Sequence, residues 1–285
     1  MTKTLRNLHF AALCSAALLP TTQAETIWAD GVSVTSGWYD ANKTHEDDAP
    51  WDENDSPIVD VPASDDGMCY AAATANLLAW WQDRHVVPAG TPQGLDNIWS
   101  TFVQNSTKIS GSNVPNALTW WLTGFDPAYI LNTHAGYYSN IIPEGTDLYS
   151  SLRKDLFIVK YANPTSADIL TMLSAGAPVA LATNYHTLTL WGAEYDSNGN
   201  ITKLFLTDSD DYTGKPDLFT VDATIKSKNL IGFTLDGDNF TIQNAFTINP
   251  EVGYSWGLTP IVPEPATATL SLMALAALAA RRRRH

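Results

Sequence analysis

A cysteine, a histidine and two aspartates in this chain stand where nucleophilic catalysis could be assembled from them. Cys69 lies in the run SDDGMCYAAATANLLAWW, at the head of a stretch from Tyr70 to Trp81 that has no Gly or Pro. A thiol at a helix N-terminus meets unpaired backbone N–H groups and a partial positive charge. With a nearby imidazolium, such an address lowers a free cysteine from about 8.5 to roughly 3.5–7.5. The other cysteine, Cys14, falls in an N-terminal apolar stretch that reads as an export signal, so the exported protein keeps a single thiol with no disulfide partner. The competing reading of Cys69 is an inert buried thiol packed as a small hydrophobe.

A thiolate nucleophile needs a base. Of six histidines, His9 leaves with the signal and His285 with the C-terminal tail. His45 sits in an acidic loop, His134 in a polar stretch, and His85 closes the Cys69 helix, where it reads as a partner for the helix dipole. His186 opens NYHTLTLWGAEYDSNGNITKLFLTDSDD, two alternating apolar runs around Asp196-Ser197-Asn198-Gly199-Asn200, which predicts a β-hairpin. His186, Leu188 and Leu190 share one face of the first strand, and Leu204, Leu206, Asp208 and Asp210 share one face of the second. With Asn198 at the loop centre, Leu188 pairs with Asp208, and His186 lies opposite Asp210 and diagonal to Asp208. Diagonal neighbours are about 7–8 Å apart by backbone and closer at their side chains, so either carboxylate could reach the imidazole. A carboxylate there would fix its tautomer and steady an imidazolium.

The elements that must carry these groups predict an α+β fold. A buried helix bearing Cys69, capped by Ser64, Asp65 or Asp66 and ending near His85, packs on an antiparallel sheet bearing His186 and Asp208. Further helices are predicted at 114–122 and 166–173, a strand at 179–182, and closing strands at 230–235 and 240–246. Trp80, Trp81, Trp120 and Trp121 read as core or cleft-wall aromatics.

Both termini read as addresses. Lys3 and Arg6, the apolar run from Phe10 to Leu19 and Thr22-Gln23-Ala24 predict a signal peptide over 1–24. Val262-Pro263-Glu264-Pro265, an apolar run from Ala266 to Ala280 and Arg281 to Arg284 resemble a PEP-CTERM sorting tail over 262–285. That resemblance implies transient membrane anchoring, a tail-processing enzyme as partner, and release or surface attachment. One domain is expected between, over 25–261. Its ends carry six of the 16 basic residues but only one of the 30 acidic ones, so this domain has a net charge near −19. Such a charge disfavours nucleic acid and anionic membranes as partners. The acidic run with Asp47, Asp48, Asp52, Glu53 and Asp55 lacks the spacing and turn glycine of a calcium loop and reads as a solvated segment. The chain offers no zinc motif, phosphate-cradling glycine loop or dinucleotide fingerprint, so no cofactor or metal is expected.

The segments GWYDANKTH (37–45), DDGMCYAAATANLLAWW (65–81) and LWGAEYDSNGNITKLFLTDSDD (190–211) resemble motifs of the IdeS/Mac family of immunoglobulin-degrading cysteine peptidases. The middle, from about Pro88 to Lys160, matches poorly. The resemblance implies a papain-like fold with Cys69 as nucleophile, His186 as base, Asp208 as orienting carboxylate, Asp210 as its supporting neighbour and Lys43 as an oxyanion lysine. Position 63 is Ala63 where a generic papain-like enzyme has its glutamine, which suits the lysine arrangement. The segment between Lys43 and Cys69 is longer than the family pattern. The implied activity is endopeptidase cleavage of a protein substrate, an immunoglobulin or another extended, proline-flanked segment. A transglutaminase-like acyltransferase and a catalytically silent surface-binding protein of the same fold are the alternatives.

Overall fold

The computed structural model describes residues 24–43, 65, 67–107, 112–146, 148, 156–210 and 216–261. The signal segment up to residue 23, the acidic run with His45, the candidate caps Ser64 and Asp66, and the tail from 262 lie outside the described residues.

Helix α1 (Cys69–Gln82) is the pivot of the first layer. Its only polar residues between Tyr70 and Trp81 are Thr74 and Asn76, and every residue from Tyr70 to Gln82 is buried. Only Cys69, at its first position, is partly exposed. The start differs from expectation. Met68 occupies the cap position, its side chain makes no cap hydrogen bond, and Asp65 accepts the Met68 N–H through its carbonyl at 3.2 Å. The end also comes earlier than His85, because Arg84 N–H bonds the Trp81 carbonyl (3.2 Å) and the chain then leaves to pair Val86 with Thr259 (2.8 Å).

Two helices brace α1: α2 (Leu95–Asn105) and α3 (Val114–Thr123). The second closely follows the predicted 114–122. Asn113 accepts the Asn116 N–H at 3.0 Å, Pro115 sits in the first turn, and Gly124 closes the helix at φ +82°. A Cβ on Gly124 would lie 1.9 Å from the His134 carbonyl oxygen, so the turn requires glycine. Trp80, Trp81, Trp120 and Trp121 are fully buried in this layer's core, as a helix apolar on all faces demands.

The second layer is an antiparallel sheet. Its strands are β1 (Glu25–Trp28), β2 (Ile158–Ala162), β3 (Val179–Ala182), β4 (Thr187–Tyr195), β5 (Ile201–Thr207), β6 (Phe219–Ile225), β7 (Ile231–Leu235), β8 (Asp238–Thr241) and β9 (Asn244–Ile248). They run in the order β2-β9-β3-β4-β5-β6-β7-β8, with β1 also on β4. The predicted strand over 240–246 is two strands. Ile242 N–H bonds the Ile231 carbonyl (3.0 Å) and Gln243 N–H bonds the Ala182 carbonyl (2.9 Å), so the chain passes from the β7 edge to the β3 edge within two residues. The sheet is thereby bridged between β8, at one end of its strand order, and β9, next to the other end. Leu181, Leu188, Leu190, Leu204, Leu206, Ile231, Phe233 and Phe240 fill its interior, separate from the core around α1. Helix α4 (Ser166–Ser174) adds Ile169, Met172 and Leu173 to that interior and is held by a Thr165–Asp168 capping box. A short helix α5 (Val252–Ser255) follows β9.

The expected hairpin is β4–β5. Two register shifts, at Leu190/Gly192 and Glu194/Tyr195, offset one another, so Thr189 lies opposite Thr207 as an Asn198-centred loop requires.

Candidate active site

His186 and Asp208 lie just outside the hairpin ladder, His186 before β4 and Asp208 after β5. They extend the rows that fill the sheet's interior, and both are buried. His186 Nε2 bonds Asp208 Oδ1 at 2.6 Å, while His186 Nδ1 stands 3.6 Å from Asp210 Oδ2. Asp208 is thus the direct partner and Asp210 the outlying one. The Asp210 N–H donates back to Asp208 Oδ1 at 3.0 Å, which fixes the carboxylate from the other side.

Helix α1 brings Cys69 to the same end of the sheet, beside His186 and the Thr187 backbone. With Nε2 engaged by Asp208, Nδ1 is the nitrogen left for the thiol. Burial of Cys69 opposes ionisation, but the His186 hydrogen bond and charge, the Lys43 charge and the Thr187 N–H together hold its pKa below the ordinary thiol value. Burial likewise opposes a charged His186, and the bonds and charges of Asp208 and Cys69 override it and raise the imidazole well above its usual range. Both shifts favour the thiolate–imidazolium form of the pair over the neutral one. The first turn of α1 adds its partial positive charge beside the sulfur.

Lys43 reaches this cluster despite its distance in sequence from Cys69. It is 7% exposed, its ammonium pairs with Asp210, and its N–H bonds the Ser209 carbonyl at 2.9 Å. The strip before it is fastened to both layers. Asn76 of α1 accepts the Ala41 N–H at 2.9 Å and donates to Thr189 at 3.0 Å, while Thr207 donates to the Tyr39 carbonyl at 3.1 Å. Asp40 accepts the Asp217 N–H at 2.9 Å. Asn76, Thr189 and Thr207 are the supporting residues that motif reasoning passed over. The available signal was one amide inside an otherwise apolar helix, a residue that burial tolerates only with partners.

The other described histidines are structural. His85 is not a dipole partner: it lies past the helix end, 2% exposed against Trp81, and burial pushes its pKa down to about 4, leaving it neutral. His134 accepts the Gly136 N–H at Nδ1 (3.1 Å), and its Nε2 stands 3.1 Å from the Trp120 carbonyl, to which it donates.

Among the described residues, His186, Asp208 and Asp210 also present ligand atoms within 4.8 Å of one another, close enough to hold a metal ion. Here Nε2 and Asp208 already bond each other and the Lys43 ammonium already neutralises Asp210. No described helix is long and apolar enough to cross a membrane.

No curated protein matches the chain. A PEP-CTERM protein-sorting motif, which marks export and surface sorting, matches residues 262–284. The Mac 1 family model matches residues 148–220, so the likeness to the IdeS/Mac family is shown over the segment that carries His186, Asp208 and Asp210.

Proposed function

We propose that the protein is an exported cysteine endopeptidase of papain-like design, with Cys69, His186 and Asp208 as its triad. The observation that carries this reading is the 2.6 Å hydrogen bond between His186 and Asp208, with Cys69 at the head of α1 beside the same imidazole. The division into a helical layer bearing the thiol and an antiparallel sheet bearing the base supports the papain-like reading. In this scheme residues 1–24 are a signal peptide, 25–261 the catalytic domain and 262–285 a sorting tail removed after export, leaving the enzyme at the surface or in the medium.

The Cys69 thiolate adds to a peptide carbonyl, and the developing oxyanion is met by the Cys69 backbone N–H and the Lys43 ammonium. Collapse breaks the C–N bond, and the His186 imidazolium passes its proton to the leaving nitrogen. Water then attacks the thioester with His186 as base, restoring thiol and acid. Asp208 holds the imidazole in the tautomer this cycle needs, and Asp210 positions Lys43.

The substrate is a protein, with an immunoglobulin as first candidate on the strength of the family likeness. Immunoglobulins and a broad peptide library incubated with the reduced protein should be cleaved by the wild type, and at a rate lower by about 10⁴-fold or more by Cys69→Ala. Equal cleavage by the two would remove the nucleophile. Added amines turning up in the products would instead indicate acyl transfer.

A further inference from the structure

Tyr185 has no part in the triad, yet it is 58% exposed immediately before the buried His186. Its position is fixed rather than loose. Thr183 and His186 clamp the turn around it: Thr183 N–H and Oγ1 both donate to the His186 carbonyl, at 2.8 and 2.9 Å, and His186 N–H donates to Thr183 Oγ1 at 3.1 Å. The Tyr185 ring lies 5.3 Å from Phe240, which is stacked on Phe233 at 5.2 Å and stands 6.2 Å from the His186 ring. An aromatic row rooted in the sheet interior thus surfaces beside the catalytic imidazole, ending in a ring with a free face. Water gains little there, whereas an apolar side chain laid against it gains contact and leaves solvent.

The chemistry says which part of a substrate arrives there. When the C–N bond breaks, the His186 proton goes to the nitrogen of the leaving fragment, so the first residue of that fragment lies against the imidazole. Resting on the peptidase reading, we propose that Tyr185 is a specificity-determining residue that receives an aromatic or large aliphatic side chain on the first residue after the scissile bond. Its effect is confined to thioester formation, because that fragment has departed before water attacks.

The test compares the full chain with Tyr185→Ala and Tyr185→Phe on peptides sharing one acyl side and carrying Phe, Leu or Ala after the scissile bond, and on the methyl ester of that acyl side. Tyr185→Ala should lower kcat/KM about tenfold for the Phe and Leu peptides and leave the Ala peptide and the ester within twofold. Tyr185→Phe should retain the preference. Equal loss on peptides and ester would overturn the subsite, since Tyr185 would then act through His186. Unchanged preference in Tyr185→Ala, with cleavage still abolished by Cys69→Ala, would also overturn it while leaving the peptidase intact. Absence of Cys69-dependent hydrolysis of every substrate would remove the peptidase reading itself.

Discussion

The helical layer and the antiparallel sheet fix their shares of the site by different means. Cys69 is placed by packing: the thirteen residues that follow it in α1 are all buried, and its first turn is set by the apolar body behind it. His186 and Asp208 lie beyond the regular ladder and are placed by named hydrogen bonds, from Thr183, from each other and from the Asp210 backbone. The thiol should therefore tolerate loss of any single polar contact, whereas the base should respond to one.

Asp208→Ala tests that contrast most severely. It deletes the partner that holds and charges His186, and kcat/KM should fall about 10³-fold. Because Asp208 raises the His186 pKa, the alkaline limb of the pH–rate profile, where the imidazolium loses its proton, should move to lower pH in this variant. Iodoacetamide labelling of Cys69 against pH reads the same shift without substrate. An alkaline limb that stays in place would show that Asp208 does not set the charge of His186.

Asn76→Ala attacks the seam between the layers. It strands the buried Ala41 N–H and frees the strip leading to Lys43, a loss of about 1–3 kcal/mol that should lower Tm by several degrees. At a temperature where the variant is folded, kcat should fall about tenfold as Lys43 loosens from the oxyanion. A lowered Tm with unchanged kcat would confine Asn76 to stability and separate the seam from the chemistry.

Thr165→Ala should have the smallest effect. It removes the α4 cap on the side of the sheet away from Cys69, costing about 1 kcal/mol and a few degrees of Tm with activity per folded molecule unchanged. Lost activity would mean that α4 steers the His186 end of β4 and would blur the distinction between the layers.

The hairpin was readable because alternation and a strong turn define register locally, and the row of leucines continues into His186 and Asp208 without reference to the rest of the chain. The extra residues in its two bulges cancel, so a reading blind to them still aligned the far end. Helix α2 escaped although Leu95, Ile98, Trp99, Phe102 and Val103 follow helical spacing, a pattern that a fuller search for periodicity would find. The split of 240–246 was not readable. Nothing in the residues Phe240 to Phe246 says that Ile242 belongs to one edge of the sheet and Gln243 to the other, because that is decided by long-range pairing with Ile231 and Ala182. Asn76 is the same case within the site: its three partners come from residues 41, 189 and 207, and only the assembled fold brings them together.

The fastening of the Ala41–Lys43 strip bears on how such a protein can diversify. Lys43 is tied to Ser209 at one end of the sequence 44–68, and Cys69 is fixed by α1 at the other, so the distance between the two ends is set by the fold and not by the chain that joins them. Closing a loop between anchored ends grows dearer only with the logarithm of its length, about 0.6 kcal/mol for each doubling. Residues can therefore be added between Lys43 and Cys69 with little effect on the site, which makes this junction a natural place for a lineage to try new sequence beside an unchanged cluster of Cys69, His186 and Asp208.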